Sequence, residues 1–104
     1  MKFVSNRDVA VGVENLTDAI KFFEDTLGFK PTKIEKGLRV YDTMQFTFYI
    51  KEGDIHPPIL SFTVEDLNNA KEYLINNGCN ILVERENSLY FRDPTGQIWD
   101  IIEG

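Results

Sequence analysis

Two stretches of the chain alternate apolar residues with small or polar ones. Val9, Val11 and Val13 are separated by Ala10 and Gly12, with Asp8 just before them; Leu60, Phe62 and Val64 are separated by Ser61 and Thr63, with Ile59 before them. A period of two predicts a strand with one apolar face in each place. Just downstream the period changes. Leu16, Ala19, Ile20, Phe23 and Leu27 recur at helical spacing, and so do Leu67, Ala70, Leu74 and Ile75. Asn15 and Asp66 stand at the N-cap positions, where their side-chain oxygens can accept from the orphan amides of a first turn. The first helix is expected to run to about Leu27, and Gly28 and Gly78 to close the two helices in left-handed conformation. Three strands then follow in each half, at about 31–36, 38–42 and 45–51, and at about 80–85, 88–92 and 97–102. Asp93-Pro94-Thr95-Gly96 predicts the hairpin turn between the last two. Asp54-Ile55-His56-Pro57-Pro58 reads as the linker between halves, since paired prolines resist regular structure.

The two halves are copies. Val13-Glu14-Asn15-Leu16-Thr17-Asp18-Ala19 matches Val64-Glu65-Asp66-Leu67-Asn68-Asn69-Ala70 at an offset of 51. Val11 meets Phe62, Phe22 meets Tyr73 and Phe23 meets Leu74 at that offset; after one skipped residue Gly28 meets Gly78. The ends agree as well, with Thr47–Gly53 parallel to Ile98–Gly104. Matches in order across both halves indicate duplication. The expected architecture is α+β: one domain over residues 1–104, with module 1 at about 7–53 and module 2 at about 58–104. The two β-α-β-β-β repeats would form a curved, cup-shaped mixed sheet with helices on the outside.

Charge narrows the function. Seventeen acidic and eleven basic residues leave a net charge of −6. A binder of nucleic-acid backbone or of an anionic membrane needs the opposite sign. With one cysteine, Cys79, there is no internal disulfide, and its neighbours make it a small apolar residue rather than a reactive thiol. Met1–Asp8 lacks the apolar run of a signal peptide. No stretch approaches the roughly twenty apolar residues of a membrane span. A cytoplasmic protein is expected.

Alternation also sorts the strand faces. Val9, Val11, Val13, Leu60, Phe62 and Val64 are expected under the helices. The other face would carry Asp8, Ala10 and Gly12, then Ile59, Ser61 and Thr63, small enough to leave room for a ligand. Thr47, Tyr49, Ile98, Asp100 and Ile102 join it, with Arg39, Tyr41, Tyr90 and Arg92 if the register holds. The candidate ligand-binding residues are therefore Asp8, Tyr49, Ser61, Thr63, Tyr90, Arg92 and Asp100. Phe48 and Trp99, at matching positions, are expected in the cores.

The helix starts, Phe22-Phe23-Glu24-Asp25-Thr26-Leu27-Gly28-Phe29 and Tyr90-Phe91-Arg92-Asp93-Pro94-Thr95-Gly96-Gln97 resemble signatures of the vicinal oxygen chelate superfamily. That superfamily includes glyoxalase I, extradiol dioxygenases and bleomycin resistance proteins, and the resemblance covers nearly the whole chain. It implies a ligand-binding concavity and a homodimer. In many members it also implies a divalent metal held by His, Glu or Gln on the first and last strand of each module. Those metal positions fall on Asp8, Tyr49, Ile59 and Asp100. Ile59 cannot coordinate, a neutral Tyr49 is a poor ligand, and the sole histidine, His56, sits in the expected linker. Asp8 and Asp100 alone could hold a hard ion such as Mg²⁺ or Mn²⁺.

Three function classes are compatible with these residues. One is a metal-independent protein that binds or sequesters a small molecule, like the bleomycin resistance branch. The second is an enzyme, either a metal-dependent lyase, isomerase or dioxygenase, or one that pairs Asp8 and Asp100 as acid and base. The third is a structural partner domain, which would require Phe48 and Trp99 to be exposed together.

Overall fold

Both expected N-caps are made. Asn15 Oδ1 accepts from the Asp18 amide at 3.1 Å and Asp66 Oδ1 from the Asn69 amide at 3.0 Å. A computed structural model describes residues 1–104 and divides into two units: Arg7–Ile59, and Leu60–Gly104 together with Met1–Asn6. The class is α+β, and each unit is a β-α-β-β-β repeat.

β1 (Val4–Val13) enters the first unit at Arg7 and leads to α1 (Leu16–Ile20), then to β2 (Pro31–Glu35), β3 (Leu38–Asp42) and β4 (Thr47–Glu52). The sheet order is β2-β3-β4-β1, with β4 parallel to β1 and the other pairs antiparallel. β5 (His56–Val64) begins in the first unit and enters the second at Leu60, where it leads to α2 (Leu67–Asn76), β6 (Asn80–Glu84), β7 (Ser88–Arg92) and β8 (Ile98–Glu103). The order there is β5-β8-β7-β6, with the same pattern of parallel and antiparallel pairs.

The first helix departs from expectation. α1 ends at Ile20 and the chain continues as a π-helix over Lys21–Thr26, closing with Leu27 N–H on Phe22 C=O. The one-residue slip in the repeat explains it. Asn15 to Gly28 is one residue longer than Asp66 to Gly78, and a wider turn absorbs the extra residue. Leu27, assigned to the apolar stripe, is rotated half into solvent. Ile75 of α2 is also half exposed. Gly28 and Gly78 close the helices at φ 76° and 88°, as expected.

The predicted linker is partly strand. β5 begins at His56 and includes Pro57 and Pro58. β8 pairs with β5 only from Ser61 onward, so neither proline interrupts that ladder.

Each unit has its own core. Leu16, Tyr41 and Ile50 are buried in the first, with Val11, Val13, Phe23, Phe29 and Phe48 packed around them. Val64, Ala70, Leu74, Leu89, Phe91 and Ile101 are buried in the second, with Phe62 and Trp99 against them. Fully burying one such aliphatic side chain contributes about 1.5–3 kcal/mol. Leu60 is a correction: it was expected under a helix but is 50 % exposed, whereas Ile59 is 3 % exposed.

The repeated Glu52 and Glu103 acquire a role that composition did not reveal. Glu52 Oε2 accepts from Leu16 N–H, and Glu103 Oε1 from Leu67 N–H, each at 2.8 Å. The end of the last strand thus caps the start of the helix in both copies. A carboxylate there also meets the positive end of the helix dipole.

The Asp93 turn is tied to the core of the second unit. Asp93 Oδ1 accepts from Thr95 N–H (2.8 Å), Thr95 Oγ–H (2.6 Å) and Gln97 N–H (3.0 Å), while Oδ2 accepts from Trp99 Nε1–H (2.9 Å). The Thr95 hydroxyl first, then the Trp99 indole, hold its carboxyl down at about 2, against an ordinary value of 3.8. A depressed carboxyl stabilises the fold fully above its unfolded value, and that contribution disappears as pH falls through about 2. Asp93→Asn is therefore expected to lower Tm at neutral pH. Its disadvantage should narrow between pH 4 and pH 2, where wild type loses the same interaction. Paired thermal melts over that range check it; a gap independent of pH would refute it.

Candidate functional site

Strand register decides which side chains share a face, because directly paired residues point to the same side. In the second unit Ser61 pairs with Asp100, Tyr90 with Asp100, Thr63 with Ile102, and Arg92 with Ile98. Ser61, Thr63, Tyr90, Arg92 and Asp100 therefore lie on one face, as the sequence predicted. Phe62, Phe91, Trp99 and Ile101 lie on the opposite, helix-covered face.

The first of these faces carries a buried polar chain. Ser61 Oγ donates to Asp100 Oδ2 at 2.7 Å, and Asn6 Nδ2 donates to Ser61 Oγ at 2.9 Å. Ser61 is 4 % exposed and Asp100 8 %. Tyr90 stands beside them, with the Arg85 guanidinium 4.8 Å from its ring centroid. Burial pushes the Tyr90 phenol up, Arg85 pulls it back, and the Asp100 charge raises it again. Arg92 is exposed on the same face. Thr63 borders a groove of about 650 Å³ shared with Lys2, Ser5, Glu65, Asp66 and Gly104. Ser61, Tyr90 and Asp100 do not line it.

In the first unit Asp8 pairs with Thr47 and Ala10 with Tyr49, so Asp8, Ala10, Thr47 and Tyr49 share a face. Burial raises the Asp8 carboxyl above its ordinary range. Burial also raises the Tyr49 phenol, the Asp8 charge adds to the effect, and Lys33 opposes it. Tyr49 thus feels both the Asp8 and the Lys33 charge.

Arg39 and Tyr41 do not belong to this face. Tyr41 pairs with Phe48 and Arg39 with Ile50, which puts both on the helix side; Val40, paired with Tyr49, takes their place. The error was one residue of register, which inverts a strand. Tyr41 is fully buried and its hydroxyl donates to Glu24 Oε2 at 2.8 Å. Burial first, then Glu24, push its phenol far up. Arg39 Nε lies 3.5 Å from the same Glu24 oxygen, without hydrogen-bond geometry.

Gly12 does not leave the room expected of it. A β-carbon there would collide with the Asp54 carbonyl oxygen and come within 2.6 Å of His56 Cδ2. His56 is accordingly packed on β1 within the same unit, Arg7–Ile59, rather than loose in a linker. Asn6, Lys33 and Arg85 were missed by sequence reasoning. Asn6 precedes the first alternating stretch and Arg85 ends a predicted strand, and nothing local signals the reach of a side chain onto Ser61 or Tyr90.

The four positions where the resemblance implies a divalent metal carry a poor donor set. Ile59 is a buried hydrocarbon, the Tyr49 phenol is held protonated, and Asp100 Oδ2 already accepts a hydrogen bond from the Ser61 hydroxyl. No group of three or more His, Cys, Asp or Glu side chains is assembled for an ion within either unit. These residues do not fit a metal-loaded centre. The thiol of Cys79 is raised by burial and by Asp93, away from the reactive range. No helix is long and apolar enough to cross a membrane.

Duplicated β-α-β-β-β units with polar side chains gathered on the face away from the helices define a glyoxalase-like protein. A family model described as "Glyoxalase/Bleomycin resistance protein/Dioxygenase superfamily" matches residues 7–101, and the chain belongs to that superfamily. No curated protein matches it in sequence. Among solved structures, a homoprotocatechuate 2,3-dioxygenase variant from B. fuscum is similar at TM-score 0.72 and 16 % identity, over 98 % of this chain and 33 % of that one. The native enzyme from Arthrobacter globiformis gives 0.72 and 16 %, over 98 % and 36 %. The chain thus spans about a third of the length of these dioxygenases. A hypothetical protein from Bacillus halodurans C-125 is similar at 0.68 and 13 %, over 99 % of this chain and 94 % of that one. At such identities the likeness is one of fold.

Proposed function

We propose that this protein binds or sequesters a small organic molecule without a divalent metal, on the face that holds Ser61, Tyr90 and Asp100. One observation carries the reading: Ser61 and Asp100, bonded to each other and to the half-buried Asn6, are buried beside an aromatic ring. Burying a carboxylate is unfavourable unless it is paired, and fold stability alone gains little from it. A buried carboxylate beside an aromatic ring is the kind of local departure from packing rules that collects at functional sites. A carboxylate next to Tyr90 suits a ligand with an amine or ammonium group attached to an aromatic or apolar body. The net charge of −6 favours the same class. Thr63 and Arg92 extend this face, and Asp8 with Tyr49 offers similar chemistry in the first unit. We further propose, from the family resemblance, a homodimer working in the cytoplasm.

Thermal-shift screening with aromatic amines, followed by calorimetry, tests the site. A ligand that binds only the folded state raises its apparent stability. Losing a charge-assisted hydrogen bond costs about 1.5–3 kcal/mol, so Asp100→Asn is expected to weaken binding about tenfold or more. Hits indifferent to that substitution would overturn the reading, as would stoichiometric Mg²⁺, Mn²⁺, Ni²⁺ or Zn²⁺ that stabilises the purified protein.

A second reading, an acid–base enzyme, has one observation in its favour: burial moves Asp8 in the direction a general acid requires. Turnover abolished by Asp8→Asn with binding intact would establish it.

A further inference from the structure

The duplication supplies an internal comparison. In the first unit Phe29 stacks on Phe23 at 6.1 Å and 12°, and meets Tyr41 at 5.7 Å. Phe23 meets Phe48 edge-on at 5.4 Å, which completes a filled aromatic cluster. The repeat puts Leu74, Cys79, Phe91 and Trp99 at the positions of Phe23, Phe29, Tyr41 and Phe48. The backbones correspond too: Phe29 N–H donates to Phe23 C=O and Cys79 N–H to Leu74 C=O, each at 3.0 Å. Two phenyl rings have become an isobutyl group and a thiol.

The space they vacate is not closed. A crevice of about 340 Å³ opens in the second unit, lined by those four side chains with Phe3, Phe62 and Asp93. Volumes of about 300 Å³ and above hold small ligands. Asp93 is its one charged group, and four donors occupy its two oxygens. A carboxylate has about four acceptor sites, so little remains to bind a polar ligand directly. What the crevice offers is ring faces and a thiol.

We propose that this crevice is a second binding site, for a small neutral aromatic molecule that takes the place the Phe29 ring holds in the first unit. Its occupant is identified by the chain's own structure, because the equivalent space in the other copy is filled by a phenyl ring. It is separate from the Ser61–Asp100 chain, which register places on the opposite face of β5, β7 and β8.

Trp99 and Cys79 are the sole tryptophan and the sole cysteine, so indole fluorescence and thiol labelling both report on the crevice. Titration with toluene is expected to change Trp99 emission saturably. At about three times the Kd, labelling of Cys79 should slow about fourfold, since only the empty fraction reacts. Cys79→Phe should fill the space and abolish the fluorescence response; Cys79→Leu serves if the phenylalanine variant does not fold. Asp100→Asn should leave both signals unchanged. A non-saturating response, or a saturating one preserved in the folded Cys79 variant, would overturn the proposal. So would Cys79 labelling that slows with protein concentration but not with toluene, which would place a second copy over the crevice.

Discussion

Replacing Gly12 with alanine is expected to destabilise the protein by about 2–3 kcal/mol, at the upper end of what one inserted methyl group does in a packed site. The glycine is not there for a left-handed turn. It is there because Asp54 and His56 lie directly over β1, and the added carbon would meet the Asp54 carbonyl oxygen. That oxygen belongs to the backbone and cannot rotate away as a side-chain tip would. The neighbouring Gly53 N–H is bonded to Val13 C=O at 2.9 Å, which limits how far the segment can retreat. His56→Ala removes only the second collision, at His56 Cδ2, and is not expected to rescue the variant. For a chain of this size each kcal/mol moves Tm by roughly 4–8 °C, so the loss should be visible in a simple melt. Urea denaturation of Gly12→Ala, alone and with His56→Ala, measures it. A change below about 0.5 kcal/mol, the range of a neutral surface substitution, would contradict the close approach.

What was legible in the sequence followed from local rules. Asn15 and Asp66 announce helix starts because their chemistry acts over three residues, and Gly28 and Gly78 announce helix ends for a similar reason. Repetition let each half check the other. The skipped residue between Gly28 and Gly78 is visible as a change of offset, and its structural consequence is a π-helix over Lys21–Thr26. Register was less secure. Tyr90 and Arg92 were placed on the correct face, while Arg39 and Tyr41 were placed on the wrong one. Aligning Tyr41 with Phe91 instead of with its polar neighbour would have corrected this, since both fill the same core position. Contacts made across long separations left no local trace. Asn6 reaches a serine 55 residues away, and Gly12 is covered by residues that the prolines had marked as linker.

The polar chain of the second unit yields the other large effect. Ser61→Ala is expected to destabilise by about 2 kcal/mol, because it takes one donor from the buried Asp100 Oδ2 and one acceptor from the half-buried Asn6 amide. Asp100→Asn should cost much less, since an amide can still bond to the Ser61 hydroxyl and the charge no longer needs compensation. In the double variant the loss should fall short of the sum by about 1 kcal/mol, the signature of residues in one hydrogen-bonded network. Denaturation of the single and double variants measures all three quantities, and strict additivity would deny the coupling. The two substitutions should then separate stability from binding. Ser61→Ala weakens the fold first, whereas Asp100→Asn leaves the fold standing and removes the negative charge that an amine ligand would seek. A carboxylate kept for packing would show the reverse order, with Asp100→Asn harming stability and leaving every ligand bound as before.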